Sequence, residues 1–116
     1  MPGAPDLDED IIREFVQEGN EQLADADNRL LDLEKNPSDD EALNAVFRSF
    51  HTIKGLAGFL NLEDLQTSAH AGEDLLDRAR GGKLVLHGAA IDLVFQATDV
   101  LKQLIRQVGD CLNTKT

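Results

Sequence analysis

The segment from His51 to Gly58 combines side chains that could do chemistry on an anionic group. At about 100° per residue in a helix, His51, Lys54, Gly55 and Gly58 fall within roughly 100° of one another. A neutral imidazole has a nitrogen lone pair that can attack an electrophile, and an ammonium group can neutralise an arriving negative charge. Each glycine in a helix interior costs about 1 kcal/mol relative to alanine. Two readings explain that cost: close packing of a neighbouring helix, or access of a large partner to His51.

A second pair of polar residues, His70 and Glu73, lies three residues apart in the next helical segment. At 1.5 Å per residue, His51 lies about 15 Å before the turn at Asn61 and Glu73 about 18 Å after it. Because helical side chains tilt toward the N-terminus of their own helix, we expect His51 and Glu73 to meet. A carboxylate that accepts a hydrogen bond from the Nδ1–H group would keep the proton on Nδ1, leave Nε2 with a free lone pair and make it a better nucleophile toward phosphorus. His70 could then hydrogen-bond to Glu73 or to phosphoryl oxygens.

Each of these residues has a simpler explanation when it is taken alone. Most lone histidines on helices are surface residues or satisfied interior residues, Lys54 is an ordinary solvated charge, and Glu73 is one of 22 acidic residues. His87 and Cys111 have no reactive motif around them and are left with that simpler explanation. Only the joint placement of four polar residues across one helix pair favours a chemical site.

Four helices are predicted to position these residues, because apolar residues recur at three-four spacing in four segments. The segments span about 8–34, 39–60, 62–80 and 89–108. Ser38 and Glu41 fit a capping box at the start of the second segment, and Gly81-Gly82 ends the third. Segments of comparable length joined by short loops predict an all-α fold, an antiparallel up-down-up-down four-helix bundle over residues 1–112. Residues 113–116 are expected to be a frayed end or the start of a linker.

Composition and charge exclude several classes of function. The formal net charge of -11 disfavours nucleic acid and anionic membrane surfaces as partners. No apolar run reaches the roughly 20 residues of a membrane span, and no secretion signal begins the chain. A single cysteine fits a reducing compartment, so a cytoplasmic location is expected. No phosphate-cradling glycine loop or Mg²⁺-binding set of carboxylates is recognisable, so no cofactor is expected in this domain.

Two stretches resemble a known family. Residues 47–59, FRSFHTIKGLAGF, resemble the phosphorylation-site helix of histidine phosphotransfer domains. Residues 69–77, AHAGEDLLD, resemble the following helix in one branch of that family, the N-terminal domain of chemotaxis histidine kinases of the CheA type. The resemblance covers the second and third helices closely and the other two by pattern alone.

The resemblance implies a role for each site residue. His51 would accept the phosphoryl group, Lys54 would contact it, and His70 and Glu73 would complete the hydrogen-bond network around the imidazole. The partner-binding surface would include Gly55, Gly58 and Phe59.

The resemblance also implies the reaction and the partners. The chain would be the phosphoacceptor domain of a sensor histidine kinase, excised from a larger protein, and not a catalyst on its own. A separate kinase catalytic domain would transfer the phosphoryl group from ATP. An aspartate of a CheY-like response-regulator receiver would then take it. ATP and Mg²⁺ would belong to the kinase domain and the receiver.

Two other functions remain as alternatives. A metal-binding bundle could use His51, His70 and Glu73, although the chain has only one such motif, in the reverse order to that of the carboxylate-bridged di-iron bundles. A docking module that has lost phosphotransfer would keep the bundle and its surface. Metal analysis and a phosphorylation assay separate these alternatives from a phosphoryl carrier.

Overall fold

A computed structural model describes residues 3–114, with side chains from 9 to 112, and shows four helices: α1 (Gly3–Lys35), α2 (Asp40–Phe59), α3 (Glu63–Arg80) and α4 (Ala89–Thr114). No strand occurs within residues 3–114. Each helix packs against the next, and α4 packs back against α1. Because the connecting segments are short, successive helices run in opposite directions. The predicted all-α, antiparallel four-helix bundle is confirmed.

The start of α2 differs from the sequence prediction. The N-cap is Asp39, not Ser38: the Asp39 carboxylate accepts a hydrogen bond from the backbone N–H of Ala42 at 3.0 Å. Ser38 lies in the preceding turn, where its own N–H donates to the Asn36 side chain at 3.1 Å. The capping box with Glu41 was therefore wrong. Aspartate and serine are about equally good N-caps, so residue type alone did not distinguish the two positions.

The turn between α2 and α3 sets the register of the pair that carries the candidate site. Asn61 adopts a φ of 59°, a left-handed conformation that asparagine tolerates better than most residues. The N–H of Leu62 donates to the carbonyl of Ala57 at 2.8 Å, and the N–H of Asn61 to that of Gly58 at 3.2 Å. These two bonds form a Schellman motif. The chain thus reverses within three residues, and α3 returns directly alongside α2.

The first and last helices are longer than predicted: α1 begins earlier and α4 ends later. α1 begins at Gly3, because Pro5 lies in the first turn, where its missing N–H has no intrahelical partner to lose. α4 continues past Val108 to Thr114, and Leu112 is buried, so apolar packing supports the extra turns. The predicted domain limit at residue 112 falls within this helix and stays a prediction, and residues 115 and 116 lie outside the described residues.

The core is mainly aliphatic, with the Phe50 ring fully buried among the aliphatic side chains. The largest fully buried side chains are Phe50, Leu23, Leu30, Leu33, Ile53, Leu76, Leu101, Ile105, Val46, Val94, Thr98 and Ser49. The Thr98 hydroxyl lies 2.7 Å from the carbonyl oxygen of Phe95 and 3.2 Å from the Asp27 carboxylate. Lys102 pairs with the same carboxylate. A polar contact thus joins α1 to α4 on the side of the bundle away from the α2–α3 pair.

Candidate functional site

His51 and Glu73 meet across the α2–α3 interface, as their distances from the turn predict. The His51 Nδ1 atom lies 2.5 Å from the Glu73 Oε2 atom. The imidazole is 63% exposed, whereas the Glu73 side chain is only 10% exposed. A buried carboxylate therefore holds one edge of a ring whose other edge faces solvent.

Lys54 joins the same carboxylate from the next turn of α2. Its Nζ atom lies 2.6 Å from the Glu73 Oε1 atom, and its side chain is 24% exposed. The two oxygens of Glu73 are thus shared between one histidine and one lysine. The sequence suggested that Lys54 faces an arriving anion, and it gave no sign of this ion pair with Glu73.

The electrostatics of the site keep Glu73 ionised. Burial raises the pKa of the Glu73 carboxyl, but hydrogen bonds from Lys54 and His51, together with the electrostatic attraction of these neighbours, outweigh it and lower the pKa below its usual value. An ionised carboxylate can only accept hydrogen bonds. The His51 Nδ1 atom is therefore the donor, and Nε2 on the open side carries the lone pair of the neutral ring.

This lowered pKa predicts an acid-dependent loss of stability. Because the Glu73 pKa is lower in the folded chain than its ordinary value of 4.5, the ionised group stabilises the fold fully above pH 4.5. That contribution is lost as the pH falls through the folded pKa. We expect the free energy of unfolding, measured by urea titration at a series of pH values, to fall over this acidic range.

A matched pair of variants assigns that loss to one carboxyl group. Glu73→Gln should flatten the acidic part of the stability profile, whereas Glu34→Gln, at an exposed position on α1, should leave its shape unchanged. If Glu73→Gln kept the full slope of the parent, the stabilising role of the Glu73 charge would be contradicted.

His70 does not join this cluster. Its ring is 59% exposed, and its Nε2 atom lies 3.6 Å from a carboxylate oxygen of Asp74, four residues along the same helix. His51 and Lys54 reach the two Glu73 oxygens from the facing helix α2, whereas the His70 side chain lies on the exposed side of α3 beside Asp74. The predicted hydrogen bond from His70 to Glu73 is therefore absent from this structure. A contact of His70 with phosphoryl oxygens stays a prediction.

Two residues that the sequence reasoning did not assign to the site lie beside the imidazole. The Phe47 ring is stacked on His51, with centroids 6.2 Å apart and planes 11° from parallel. The guanidinium of Arg80 lies over the Phe47 ring, 4.1 Å from its centroid. The spacing of four residues between Phe47 and His51 is a signal for such a contact, but in the sequence Phe47 stood out only as the first residue of the 47–59 stretch.

The glycines of α2 and α3 divide into two kinds. A Cβ atom added to Gly55 would meet nothing within 4 Å, and one on Gly58 would meet only the flexible amide end of Gln66. A Cβ atom on Gly72 would overlap the ring of Phe50, so that glycine permits close helix packing. Close packing within the bundle therefore does not account for Gly55, which leaves the surface next to His51 flat and open.

A groove between α1 and α2 continues that open surface toward the end of α2. Its walls include Ile11, Leu56 and Phe59. Phe59 is 78% exposed, and Ile11 is 36% exposed. The predicted partner-binding residues Gly55, Gly58 and Phe59 thus lie on a surface that combines open backbone with an exposed aromatic ring.

The described residues lack two features that other functions would need. No group of three or more His, Cys, Asp or Glu side chains is arranged to hold a metal ion among them, and His70 lies apart from the His51–Glu73 pair. None of their helices is long and apolar enough to cross a membrane.

The fold and this site together define a class of protein. The model of the Hpt domain family matches residues 10–111, and the chain belongs to that family of histidine phosphotransfer domains.

Its relatives include the chemotaxis protein CheA. The chain is 37% identical over 100 residues to the chemotaxis protein CheA of Halobacterium salinarum; the match covers 86% of this chain and 15% of that protein. The CheA phosphotransferase domain from Thermotoga maritima has a TM-score of 0.82 and 32% identity, covering 86% of this chain and 95% of that one. A domain of CheA3 in complex with CheY6 from R. sphaeroides has a TM-score of 0.79 at 22% identity, covering 92% and 95% of the two chains, a likeness that shows the fold alone.

Proposed function

We propose that this domain is a phosphoryl carrier in which His51 accepts a phosphoryl group and passes it on. The observation that carries the proposal is the hydrogen bond between His51 Nδ1 and Glu73 Oε2 at 2.5 Å, on a ring that is 63% exposed. This arrangement anchors one nitrogen of the ring and leaves the other free to react with a large partner. Membership of the Hpt domain family supports it.

The first transfer follows from the protonation of the ring. The lone pair on Nε2 attacks the γ-phosphorus of ATP, a P–N bond forms, and the P–O bond to the β-phosphate breaks, releasing ADP. Nδ1 keeps its proton, so the phosphorylated ring carries a positive charge. The Glu73 carboxylate stabilises that charge. Lys54 contacts the same carboxylate as His51, so its ammonium group is near enough to the ring to turn toward the phosphoryl oxygens.

The second transfer reverses the roles of the groups. A carboxylate oxygen of an aspartate on a receiver attacks phosphorus, the P–N bond breaks, and its electron pair returns to Nε2. The neutral ring with its Nδ1 proton is restored, so the domain is unchanged after each cycle. Such a carrier holds the group but does not itself catalyse the reaction of ATP.

The remaining partners and the setting belong to the same proposal. The donor is a histidine kinase catalytic domain that binds ATP and Mg²⁺, and the acceptor is a CheY-like receiver with its own Mg²⁺. No cofactor is bound by this domain itself. The chain spans 15% of the length of the Halobacterium relative. We propose that it acts as the phosphoacceptor domain of a whole chemotaxis kinase and that it does so in the cytoplasm. His70, on the same face of α3 as Glu73, is available to contact phosphoryl oxygens.

The chemical nature of the label tests this function. We expect the domain, incubated with a chemotaxis kinase catalytic domain, ATP and Mg²⁺, to gain one phosphate that is lost in acid and retained in base, as a P–N bond requires. A receiver added afterwards should remove it. If the domain stays unlabelled while the same kinase labels a known phosphotransfer domain, the docking-only function replaces this one.

The open surface at Gly55 predicts a block of transfer without loss of folding. Gly55→Leu places a bulky side chain where nothing lies within 4 Å, so the bundle should unfold at or slightly above the parental temperature, since glycine is a poor helix former. Transfer from the kinase and to the receiver should fall about tenfold or more, because misplacing reacting groups by about 1 Å can cost about 100-fold.

A conservative variant separates bulk from helix propensity. Gly55→Ala should be at least as stable as the parent and lose much less activity than Gly55→Leu. Parental transfer rates in Gly55→Leu would show that partners do not approach across this part of α2.

A further inference from the structure

The proposed phosphoacceptor, His51, lies at one end of a stack of three side chains, and the other two, Phe47 and Arg80, have no part in the chemistry above. Phe47 and His51 lie one helical turn apart on α2, with ring centroids 6.2 Å apart and planes 11° from parallel. Arg80, the last residue of α3, lies over the Phe47 ring at 4.1 Å from its centroid. The stack therefore links the C-terminal end of α3 to the imidazole on α2.

The hydrogen bond to Glu73 restrains only one edge of the His51 ring. It fixes the position of Nδ1 and the direction of its N–H bond, but a single hydrogen bond leaves the ring free to swing about that axis. A nearly parallel aromatic ring at this centroid separation is an offset stack, and it opposes the swing. Glu73 and Phe47 thus restrain two different rotations, and together they determine where the Nε2 lone pair points.

Arg80 in turn restrains Phe47. Phe47 is only partly buried at the edge of the core, so packing alone does not enclose its ring. The Arg80 guanidinium adds a cation–π contact, and Arg80 is itself 3.7 Å from a carboxylate oxygen of Asp77. These contacts give the partly buried Phe47 ring a neighbour outside the core.

We propose that Phe47 is a positioning residue for phosphoryl transfer and that Arg80 holds Phe47 in place. The inference rests on the proposed function, because it concerns the orientation of the same imidazole. In-line attack requires the Nε2 lone pair to lie along the P–O bond that breaks. A ring that swings freely spends less time in that direction, so the transfer step slows while binding of the donor is unaffected.

The test compares two donors: the kinase catalytic domain with ATP, and phosphoramidate, a small donor that needs no protein docking surface. Phe47→Leu removes the ring and keeps an apolar side chain, whereas Phe47→Tyr keeps the ring. We expect Phe47→Leu and Arg80→Ala to lower the rate about two- to tenfold with both donors, measured at saturation with the kinase domain and as a second-order rate constant with phosphoramidate; this is the range that the strength of an aromatic pair gives. KM for the kinase domain should be unchanged, and Phe47→Tyr should stay near the parent. Arg80→Lys, which keeps the positive charge but loses the planar guanidinium, should lie between Arg80→Ala and the parent.

Arg80→Ala guards the test against a folding defect in Phe47→Leu. The Arg80 side chain is 39% exposed, so its removal should not unfold the bundle. Parental rates in folded Phe47→Leu and Arg80→Ala overturn the inference. A defect confined to the kinase donor also overturns it, because Phe47 would then be a docking contact.

A third variant in the same assay separates this inference from the proposed function. If His51→Gln stays unlabelled while Phe47→Leu equals the parent, only the positioning role fails. Labelling of His51→Gln would instead remove the proposed function itself.

Discussion

Replacing His51 with glutamine is expected to abolish phosphorylation. The glutamine side chain has a similar reach, but its amide nitrogen has no available lone pair to attack phosphorus. Because His51 is an exposed residue whose buried partner can still accept a hydrogen bond from the new amide, the bundle should remain folded. Labelling by a kinase catalytic domain with ATP and Mg²⁺, followed by mass spectrometry, should show no added phosphate.

The chain offers matched controls at its other two histidines. His87 is exposed in the segment between α3 and α4, and His87→Gln should be labelled at the parental rate. His70→Gln should still be labelled, since His70 contacts Asp74 and not the His51–Glu73 pair. If His51→Gln were labelled as fast as these two variants, the phosphoryl group would have to reside elsewhere.

Changing Glu73 is expected to slow phosphoryl transfer strongly without preventing it. Without the carboxylate, the Nδ1 proton loses its acceptor, the ring can adopt the other tautomer, and the positive charge of the phosphorylated ring is no longer balanced. Carboxylates that orient metal-bound histidines typically contribute about 10- to 100-fold to activity, and we expect a loss of that order in Glu73→Ala. Rapid-quench measurement of the rate of label formation gives the number.

The graded variants at this position separate orientation from charge. Glu73→Gln keeps a carbonyl oxygen that can accept a hydrogen bond from the Nδ1–H group, but it has no charge. Its rate of phosphorylation should therefore lie between those of the parent and Glu73→Ala. Asp74→Asn, which removes an exposed carboxylate one residue along α3, should react at the parental rate. Equal rates for the parent and Glu73→Ala would remove Glu73 from the mechanism.

The fold and the His51–Glu73 pair could be predicted from the sequence because both follow from regular helix geometry. The apolar stripes gave four helices, and a short turn at Asn61 meant that distances along α2 and α3 could be counted from a common point. That count placed His51 opposite Glu73, and the structure brings their side chains within 2.5 Å. The tilt of helical side chains toward the N-terminus then determined which residue of α3 is reached.

Contacts that depend on competition between similar groups could not be predicted in this way. Spacing favoured His70 as the second neighbour of Glu73, and only the packed structure shows that Lys54 contacts the second oxygen while His70 lies beside Asp74. The same holds for Arg80, whose long side chain could have reached several positions before it settled on Phe47. Likewise, the sequence left two explanations for Gly55. A Cβ atom added there would meet nothing within 4 Å, which favours access of a partner to His51 over close packing of a neighbouring helix.

The nitrogen that carries the phosphoryl group tests the account most directly. Because Glu73 holds Nδ1 in its protonated form, only Nε2 can attack phosphorus. Phosphorylation of a domain labelled with ¹⁵N in its histidines, followed by NMR, identifies the bonded nitrogen through its coupling to ³¹P. The coupling should appear at Nε2 of His51, with Nδ1 still protonated. A phosphoryl group on Nδ1 of His51, or on a different residue, would contradict the account.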